Sequence, residues 1–291
     1  MRRLLAALSC AFFPALAGMH AHACTDPGGI GGTGIGADGG GIGGTGMRAQ
    51  SELDVLGVIT GFASICVNGI EVHYDASTPV SLNGTPAAAD ALGIGQVVAV
   101  SAVGSGTQAR ARAIHIVDSA VGALGSVDPT GSSMQVAGER VRLHPSTVLG
   151  GGLTRERLAG TPPGETLRVS GLRAADGTIV ATRIEPAPRD AAPAAPAPPQ
   201  LGPGRVLVQG YVAGVQGSEM RIGALAFEVA PGLAAQLASE RLVRVAGRTE
   251  GGRHIVERAD LLAGAFDVRP ERTLRPERPR PRDGDDRGGR S

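Results

Sequence analysis

The sequence is poor in aromatic residues, which make up 2% of the chain, and it contains no tryptophan. Sites for sugars and for single-stranded nucleic acids usually use aromatic rings as stacking platforms, so few such platforms are available here. The same scarcity predicts small hydrophobic cores built from valine, isoleucine, leucine and alanine.

Lysine is absent as well, since the 28 residues counted as Lys+Arg are all arginines and face 27 acidic residues. The formal net charge is +1, and it becomes −1 when Arg2 and Arg3 are removed with a leader peptide. Nucleic acids and anionic membranes attract proteins with a basic stripe, which a near-neutral balance does not favour. We therefore expect no nucleic-acid partner.

Long hydrophobic runs are missing beyond the N-terminus. There, Arg2 and Arg3 precede an apolar run from Leu4 to Gly18, and an A-x-A pattern ends at Ala23. This order is typical of a secretory signal peptide, and the run is shorter than the about 20 residues of a membrane-spanning helix. The sequence thus predicts a periplasmic or secreted protein of the bacterial cell envelope without a transmembrane span.

The glycine-rich stretch from Gly28 to Gly46 contains the pattern G-x-G-x-x-G twice. A nucleotide-binding loop of this kind lies between a strand and a helix, so that phosphate rests on the helix N-terminus. Here the pattern follows a cleavage site and no helical periodicity comes after it, which indicates a flexible tether. The sequence also has no G-x-S-x-G, H-E-x-x-H or C-x-x-C motif. We therefore expect neither an enzyme nor a cofactor.

Three segments share one order of parts: Gly57 to Val117, Gly122 to Glu185 and Gly210 to Leu262. Each begins with a short G-x-[IVL] opening and continues with a hairpin, a leucine- and alanine-bearing stretch, an alternating strand and a last strand. Such units of about 60 residues predict a mainly β chain of tandem small OB-like β-barrels. Three sandwich-like hairpin units are the alternative.

Composition suggests where these units begin and end. The predicted divisions are a signal peptide (1–23), a Gly-rich tether (24–56), β units at 57–118, 119–185 and 205–263, a Pro/Ala-rich linker (186–204) and a disordered Arg/Pro-rich tail (264–291). The linker should act as a semi-rigid spacer, so that units one and two associate while unit three swings. The tail mixes charges without apolar anchors.

Side chains alternate along a strand, so the sequence predicts which ones form the cores. The inward set of the fourth strand is Val98 and Val100, Leu167 and Val169, and Val243 and Val245, with Ala99, Arg168 and Arg244 pointing outward. In the first hairpin, Asn68-Gly69 predicts a type I′ turn because both residues tolerate positive φ.

The candidate site residues Cys66, His73 and His115 lie in the first unit and align with other residue types in the other two. All three are predicted to point outward into solvent. The turn places Cys66 across from Glu71, and in an OB-like barrel the last strand would bring His115 towards His73. Such a cluster could bind Zn or Cu. Ordinary surface histidines are the alternative.

Cys66 has a second interpretation, in which it forms a disulfide with Cys24. Two cysteines in an oxidising compartment are expected to pair, and the glycine-rich tether is long enough for Cys24 to reach. Closing such a loop would contribute about 3–4 kcal/mol. Cys24 also follows the cleavage site, where a lipoprotein carries its lipid anchor. Lipidation ranks second because Ala21 and His22 replace the usual residues there.

The GIGGTG pairs and the following GVITGFASICVNGIEVHYDAST resemble the bacterial domain-of-unknown-function family 5666. The resemblance covers most of the mature chain, most strongly from Gly28 to Val117 and most weakly in the third unit, whose hairpin is shortened to RIGALAF. It implies an OB-like fold and an envelope location. It carries over no catalytic residues.

Together these features predict an exported non-catalytic envelope protein whose three OB-like units act as a binding or scaffold module. Its partner would be an unknown envelope component, protein or glycan. The alternative is a metal-binding or metal-sensing periplasmic protein that uses Cys66, His73 and His115. A third hypothesis is contact with an anionic glycan through Arg110, Arg112, Arg168 and Arg244.

Overall fold

The computed structural model describes Cys24 and residues 51–62, 64–194, 200–237, 241–267 and 269–276. The predicted signal peptide lies outside these residues, as do most of the glycine-rich tether, part of the linker and the end of the tail. Among the described residues, none of the helices has the length and apolar character needed to cross a membrane.

The described chain forms eighteen strands and a few short helices, which group into three units. Unit 1 comprises β1 (Ser51–Gly61), β2 (Ile65–Val67), β3 (Ile70–His73), β4 (Val80–Leu82), β5 (Thr85–Ala87), a 3₁₀ helix (Ala89–Ala91), β6 (Val97–Ser105) and β7 (Gln108–Ile116). Unit 2 comprises β8 (Ala120–Val127), β9 (Ser133–Val136), β10 (Glu139–Leu149), α1 (Arg155–Ala159), β11 (Thr166–Arg173) and β12 (Ile179–Pro186). Unit 3 comprises β13 (Gly204–Gln216), β14 (Glu219–Ile222), β15 (Leu225–Glu228), α2 (Pro231–Ala234), β16 (Leu242–Glu250), β17 (Arg253–Leu261) and β18 (Arg272–Leu274).

Each unit closes into a five-stranded barrel with the same strand order. The closed rings are β1-β2-β3-β7-β6, β8-β9-β10-β12-β11 and β13-β14-β15-β17-β16. In every ring the third and last strands pair in parallel while the other pairs are antiparallel. The prediction of tandem OB-like barrels is confirmed, and the sandwich alternative is wrong because sandwich sheets do not close on themselves.

The predicted inward side chains fill the three cores. All six valines and leucines of the predicted fourth-strand set are at most 2% exposed. The first hairpin turns as predicted, since φ is 55° at Asn68 and 79° at Gly69, the left-handed values of a type I′ turn. Alternation within each strand therefore determines which residues each barrel buries.

The fourth and last strands carry one equivalent cross-strand pair in each barrel. The pairs are Ala99–His115 in unit 1, Arg168–Glu185 in unit 2 and Arg244–Asp260 in unit 3. This register confirms the alignment of the three repeats at that position. Units 2 and 3 thus hold opposite charges where unit 1 has alanine and histidine.

Unit 3 does not swing free of unit 1, so that expectation from the linker is wrong. Residues 53–56 of β1 pair in parallel with residues 205–208 of β13, which joins the two barrels in one sheet. The buried Gln209 side chain accepts a hydrogen bond from the Val58 N–H at 3.2 Å. An apolar cluster contributed by all three units, the junction cluster, lies beside these contacts: Val58, Val97, Leu172, Leu242 and Leu262.

The length of the first strand explains why units 1 and 3 pair and unit 2 does not. β1 begins at Ser51 and β13 at Gly204, well before the aligned Gly57 and Gly210, whereas β8 begins only shortly before Gly122. Along one edge, the additional residues of β1 and of β13 have backbone N–H and C=O groups without hydrogen-bond partners in their own barrel. The two edges therefore supply partners for each other. β1 thus begins inside the stretch predicted as tether.

The predicted disordered tail contributes one more strand. β18 pairs with β17 in antiparallel fashion, from Ala259–Leu274 to Leu261–Arg272. Leu274 is 2% exposed and packs in the core of unit 3, so it is the apolar anchor that the sequence pattern overlooked. The remainder of the tail prediction, from residue 277, lies outside the described residues.

Candidate functional site

OB barrels commonly bind ligands on the outer face of their second and third strands. In unit 2 that face belongs to β9 and β10 and lies between two loops, residues 128–132 and 174–178. An open cleft of ≈ 390 Å³ runs along this face of unit 2, and its lining includes residues of both strands and both loops. We call the outward side chains of this site the basic face: Ser133, Gln135, Arg140 and Arg142.

Arg140 and Arg142 give the basic face its charge. They lie two residues apart on β10, and each faces an outward residue of β9, Gln135 and Ser133 respectively. Residues at alternate positions of a strand are about 7 Å apart and project on the same side. The Arg140 guanidinium donates a hydrogen bond to the Asp176 carbonyl at 2.8 Å. Arg142 is exposed and has no hydrogen bond or ion pair within the part of the chain that the structure describes.

Two aspartates fix the loops on either side of the basic face. Asp128 accepts hydrogen bonds from the Thr130 N–H at 2.7 Å and from the Ser133 hydroxyl at 2.7 Å. Bonds from Thr130 and Ser133 hold the pKa of this carboxyl well below its usual range. Asp176 accepts from the N–H of Thr178 at 2.9 Å, and this contact likewise lowers its pKa. Both loops are therefore held in place before any ligand arrives.

The basic face differs in charge from the equivalent face of unit 3. On the equivalent face of unit 3, Glu219 and Glu228 lie opposite each other across β14 and β15. Arg253 forms an ion pair with Glu228 at 3.1 Å. The second unit alone thus carries two arginines at these positions.

In unit 1 the equivalent face is covered by a residue of the N-terminal region. Cys66 of β2 lies across from Glu71 of β3, as the hairpin predicted, and it is joined to Cys24 in a disulfide with the Cα atoms 5.3 Å apart. Cys66 is 0% exposed, so the expectation of a solvent-facing cysteine is wrong. It points to the outer face, but Cys24 lies over it.

The two histidines predicted to complete a site with Cys66 do not come together. His73 is exposed and its Nε2 lies 3.8 Å from Glu71 Oε1. β7 does run beside β3, but the residue opposite His73 is Arg110, five positions before His115. His115 instead lies beside β4, where its Nδ1 is 2.7 Å from the Ser81 hydroxyl. With the Cys24–Cys66 disulfide closed, no group of three His, Cys, Asp or Glu side chains among the described residues is arranged to hold a metal ion.

The four arginines of the glycan hypothesis do not form one surface. Arg168 and Arg244 have side chains only 17% and 9% exposed, and they pair with Asp118 at 2.9 Å and Asp260 at 3.0 Å. The prediction that they point away from the barrel cores is right, but neighbouring residues cover them. Arg110 and Arg112 are exposed on unit 1, where they pair with Asp75 and Glu52.

Arg140 and Arg142 were not among the residues singled out from the sequence. The signal was present, since the repeat alignment places them at the positions of Glu71 and His73 on the outer face of the hairpin. Arginines at two successive outward positions of a strand are conspicuous only once the barrel face is identified. Each one alone reads as an ordinary surface residue.

Two stretches of the chain, residues 56–115 and 121–185, match the family model described as "Domain of unknown function (DUF5666)". Units 1 and 2 belong to this family. The resemblance stated from the GIGGTG and GVITGF motifs is thereby confirmed for the two DUF5666 units. Unit 3 lies outside the matched residues but closes its barrel in the same strand order. No curated protein matches the chain.

Proposed function

We propose that this protein is an exported, non-catalytic component of the bacterial cell envelope that binds an acidic peptide segment of another envelope protein on the basic face. The signal-peptide pattern of residues 1–23 supports export. The fusion of the barrels supports a scaffold role, because the β1–β13 pairing and the junction cluster hold the basic face in a fixed position relative to unit 3.

The observation that carries the proposal is the pair of exposed arginines at alternate positions of β10. An extended peptide also repeats its side chains on one side every ~7 Å, so carboxylates at alternate positions match Arg140 and Arg142. Guanidinium groups bind carboxylates through two parallel hydrogen bonds, which gives geometric selectivity. A glycan is the weaker choice because sugar sites usually use aromatic platforms, and the lining of the cleft has none.

The binding test uses a labelled eight-residue peptide with glutamate at alternate positions, measured by fluorescence anisotropy. We expect saturable binding that weakens with salt, because exposed charges are screened. Arg142→Gln should weaken it about fivefold, since an exposed charge pair contributes about 1 kcal/mol. The matched control is Arg112→Gln, which removes the same charge from unit 1 and should leave the affinity unchanged.

Three results would contradict the binding proposal. One is an affinity no higher than for a peptide with serine in place of glutamate. Another is an equal loss in Arg142→Gln and Arg112→Gln, which would indicate a general charge effect. The third is tighter binding of oligogalacturonate than of the peptide, which would indicate an acidic glycan. Turnover of a substrate by the purified protein, abolished by one substitution, would overturn the non-catalytic assignment, and retention of the protein in the cytoplasmic fraction would overturn export.

A further inference from the structure

The outer face of unit 1 brings together four side chains that could bind a metal once its disulfide is open. We propose that reduction of the Cys24–Cys66 disulfide creates a Zn²⁺ site formed by the thiolates of Cys24 and Cys66, the imidazole of His73 and the carboxylate of Glu71. This site lies on a different barrel from the basic face. It is independent of the acidic-peptide proposal.

Three of these side chains converge across the β2–β3 hairpin. Cys66 and Glu71 are directly opposite each other, and such cross-strand partners have Cβ atoms about 5 Å apart on one face. His73 is two residues further along the same face of β3, and its Nε2 is 3.8 Å from Glu71 Oε1. The imidazole thus leans towards the carboxylate that faces Cys66.

The disulfide shows that Cys24 can reach Cys66, so after reduction its thiolate can bind the same metal ion as Cys66 and supply the fourth ligand. Two thiolates, one imidazole and one carboxylate are all Zn²⁺ ligands, and four of them complete a tetrahedral site. Their separation in the sequence, with one ligand far upstream of the hairpin, hides this set from any search for closely spaced motifs.

The surroundings of Glu71 would orient its carboxylate for such a role. The buried Ser64 donates a hydrogen bond from its hydroxyl to Glu71 Oε1 at 2.7 Å. Gln108 donates from Nε2 to Oε2 at 3.5 Å. Groups that bind a ligand from behind in this way fix its orientation and raise metal affinity.

In the disulfide form neither sulfur is a thiolate, so the set lacks half of its ligands. Opening it requires a two-electron reductant. A dithiol gives two electrons and two protons to the S–S bond and is itself oxidised to a disulfide, and a phosphine does the same work with water and is oxidised to its oxide. The products are two thiols, Cys24 and Cys66. Zn²⁺ binding then releases the two thiol protons to solvent. The metal would therefore bind only under reducing conditions.

His115 provides a matched control within the same barrel. It lies on β7 five residues beyond Arg110, the cross-strand neighbour of His73, which is about 16 Å along the strand. Its imidazole is held by Ser81 instead. If the sequence-based set of Cys66, His73 and His115 were the true site, replacing His115 would abolish binding. In the site proposed here it would not.

The test titrates the full mature chain, reduced with a phosphine, with Zn²⁺ in competition with a chromophoric chelator, and repeats the titration with Co²⁺ followed by absorption. We expect one metal per reduced chain and a thiolate-to-Co²⁺ charge-transfer band. The oxidised chain should bind at least tenfold more weakly. His73→Ala, which leaves both cysteines and the fold in place, should lower affinity at least tenfold, and His115→Ala should match the wild type.

Each of three outcomes would overturn the proposal. They are absence of metal binding by the reduced chain, equal binding by the oxidised chain, and a Co²⁺ spectrum without the thiolate band. Equal losses in His73→Ala and His115→Ala would point instead to the sequence-based set. Amide NMR spectra of each variant establish that the barrel is intact, so that a loss of binding reflects the ligands.

Discussion

Asn83 and Asp118 bind each other through two hydrogen bonds, both 2.9 Å long: Asn83 Nδ2 donates to Asp118 Oδ2, and the Asp118 N–H donates to Asn83 Oδ1. Asn83 follows β4 in unit 1, and Asp118 lies between the last strand of unit 1 and the first strand of unit 2. The same carboxylate accepts from Ser170 at 3.0 Å and pairs with Arg168 at 2.9 Å. Asp118 therefore connects the two DUF5666 units.

The pH dependence of stability should report on Asp118. Burial raises its pKa from 3.8 to about 6, against the opposing effects of Asn83, Arg168 and Ser170. Since the folded pKa is the higher one, the stabilising contribution is fully present below pH 3.8 and is lost as the pH rises through about 6. Relative to Asp118→Asn, the wild type should gain about 2 kcal/mol in free energy of unfolding between pH 7 and pH 4.

Urea unfolding of both proteins across this range checks the prediction, and parallel curves would contradict it. Asp128→Asn is the control of opposite sign: the pKa of Asp128 is lowered, so its contribution is present at neutral pH and lost as the pH falls. If Asp118→Asn does not fold, the carboxyl carbon of Asp118 in the wild type can be titrated by NMR, with an expected midpoint near 6.

The buried ion pair of unit 3 should be costly to break. Arg244 donates from Nε and Nη2 to Asp260 Oδ2 at 3.2 and 3.0 Å, and from Nη1 to the Asn68 carbonyl of unit 1 at 3.2 Å. Arg244→Ala should lower the free energy of unfolding by about 3 kcal/mol, because it leaves a buried carboxylate with one partner fewer. The exposed pair Arg241–Glu271 is the control, and Arg241→Ala should cost at most about 1 kcal/mol. Equal losses of free energy of unfolding in Arg244→Ala and Arg241→Ala, measured by urea unfolding, would show that burial does not determine the cost of breaking an ion pair.

The β-bulge of β16 should not tolerate a side chain at Gly247. A Cβ at Gly247 would lie 2.0 Å from the Ile255 carbonyl oxygen. Gly171 is the bulge glycine of unit 2, and a Cβ there would lie 2.7 Å from the Val180 carbonyl oxygen. Gly247→Ala should lower the free energy of unfolding by about 1–3 kcal/mol, because the backbone must move. In Gly214→Ala the new Cβ meets nothing within 4 Å. A thermal melt that shows the same shift for both variants would refute this steric reasoning.

The state of Cys24 and Cys66 can be read from intact mass. A disulfide predicts a native chain two hydrogens lighter than its thiol form that takes up an alkylating reagent only after reduction. Cys66→Ser should lower the free energy of unfolding by about 3–4 kcal/mol if loop closure dominates. A diacylglyceryl mass increase on Cys24, or alkylation of Cys66 without reduction, would show that the pair is not joined.

Features that depend on neighbouring residues were predictable from the sequence. Alternation along one strand identifies the buried parity, so Val98 and Val243 could be assigned to cores without knowledge of the partner strands. The turn at Asn68-Gly69 likewise fixes the register of Cys66 and Glu71, because a two-residue loop leaves one pairing.

Features that depend on distant segments were not predictable. Nothing local to Cys66 indicates that Cys24, 42 residues upstream, covers it. The composition of the linker indicates how stiff the linker is. It does not show that the strand edges at Leu53 and Arg205, which lie on either side of it in the sequence, pair with each other. Arg142 looked ordinary for the same reason, because its significance depends on which face of the closed barrel it occupies.

Because β1 pairs with β13, unit 1 cannot form all of its backbone hydrogen bonds until unit 3 is present. Unit 1 emerges first during synthesis, and the backbone groups at residues 53–56 stay without their partner until β13 follows, after the whole of unit 2. A chain that ends after unit 2 exposes this edge. In the full-length chain, β13 of a second molecule fits the edge as well as the chain's own β13 does. The third barrel therefore protects the first from aggregation, and its exchange between two molecules would join them without any new contact.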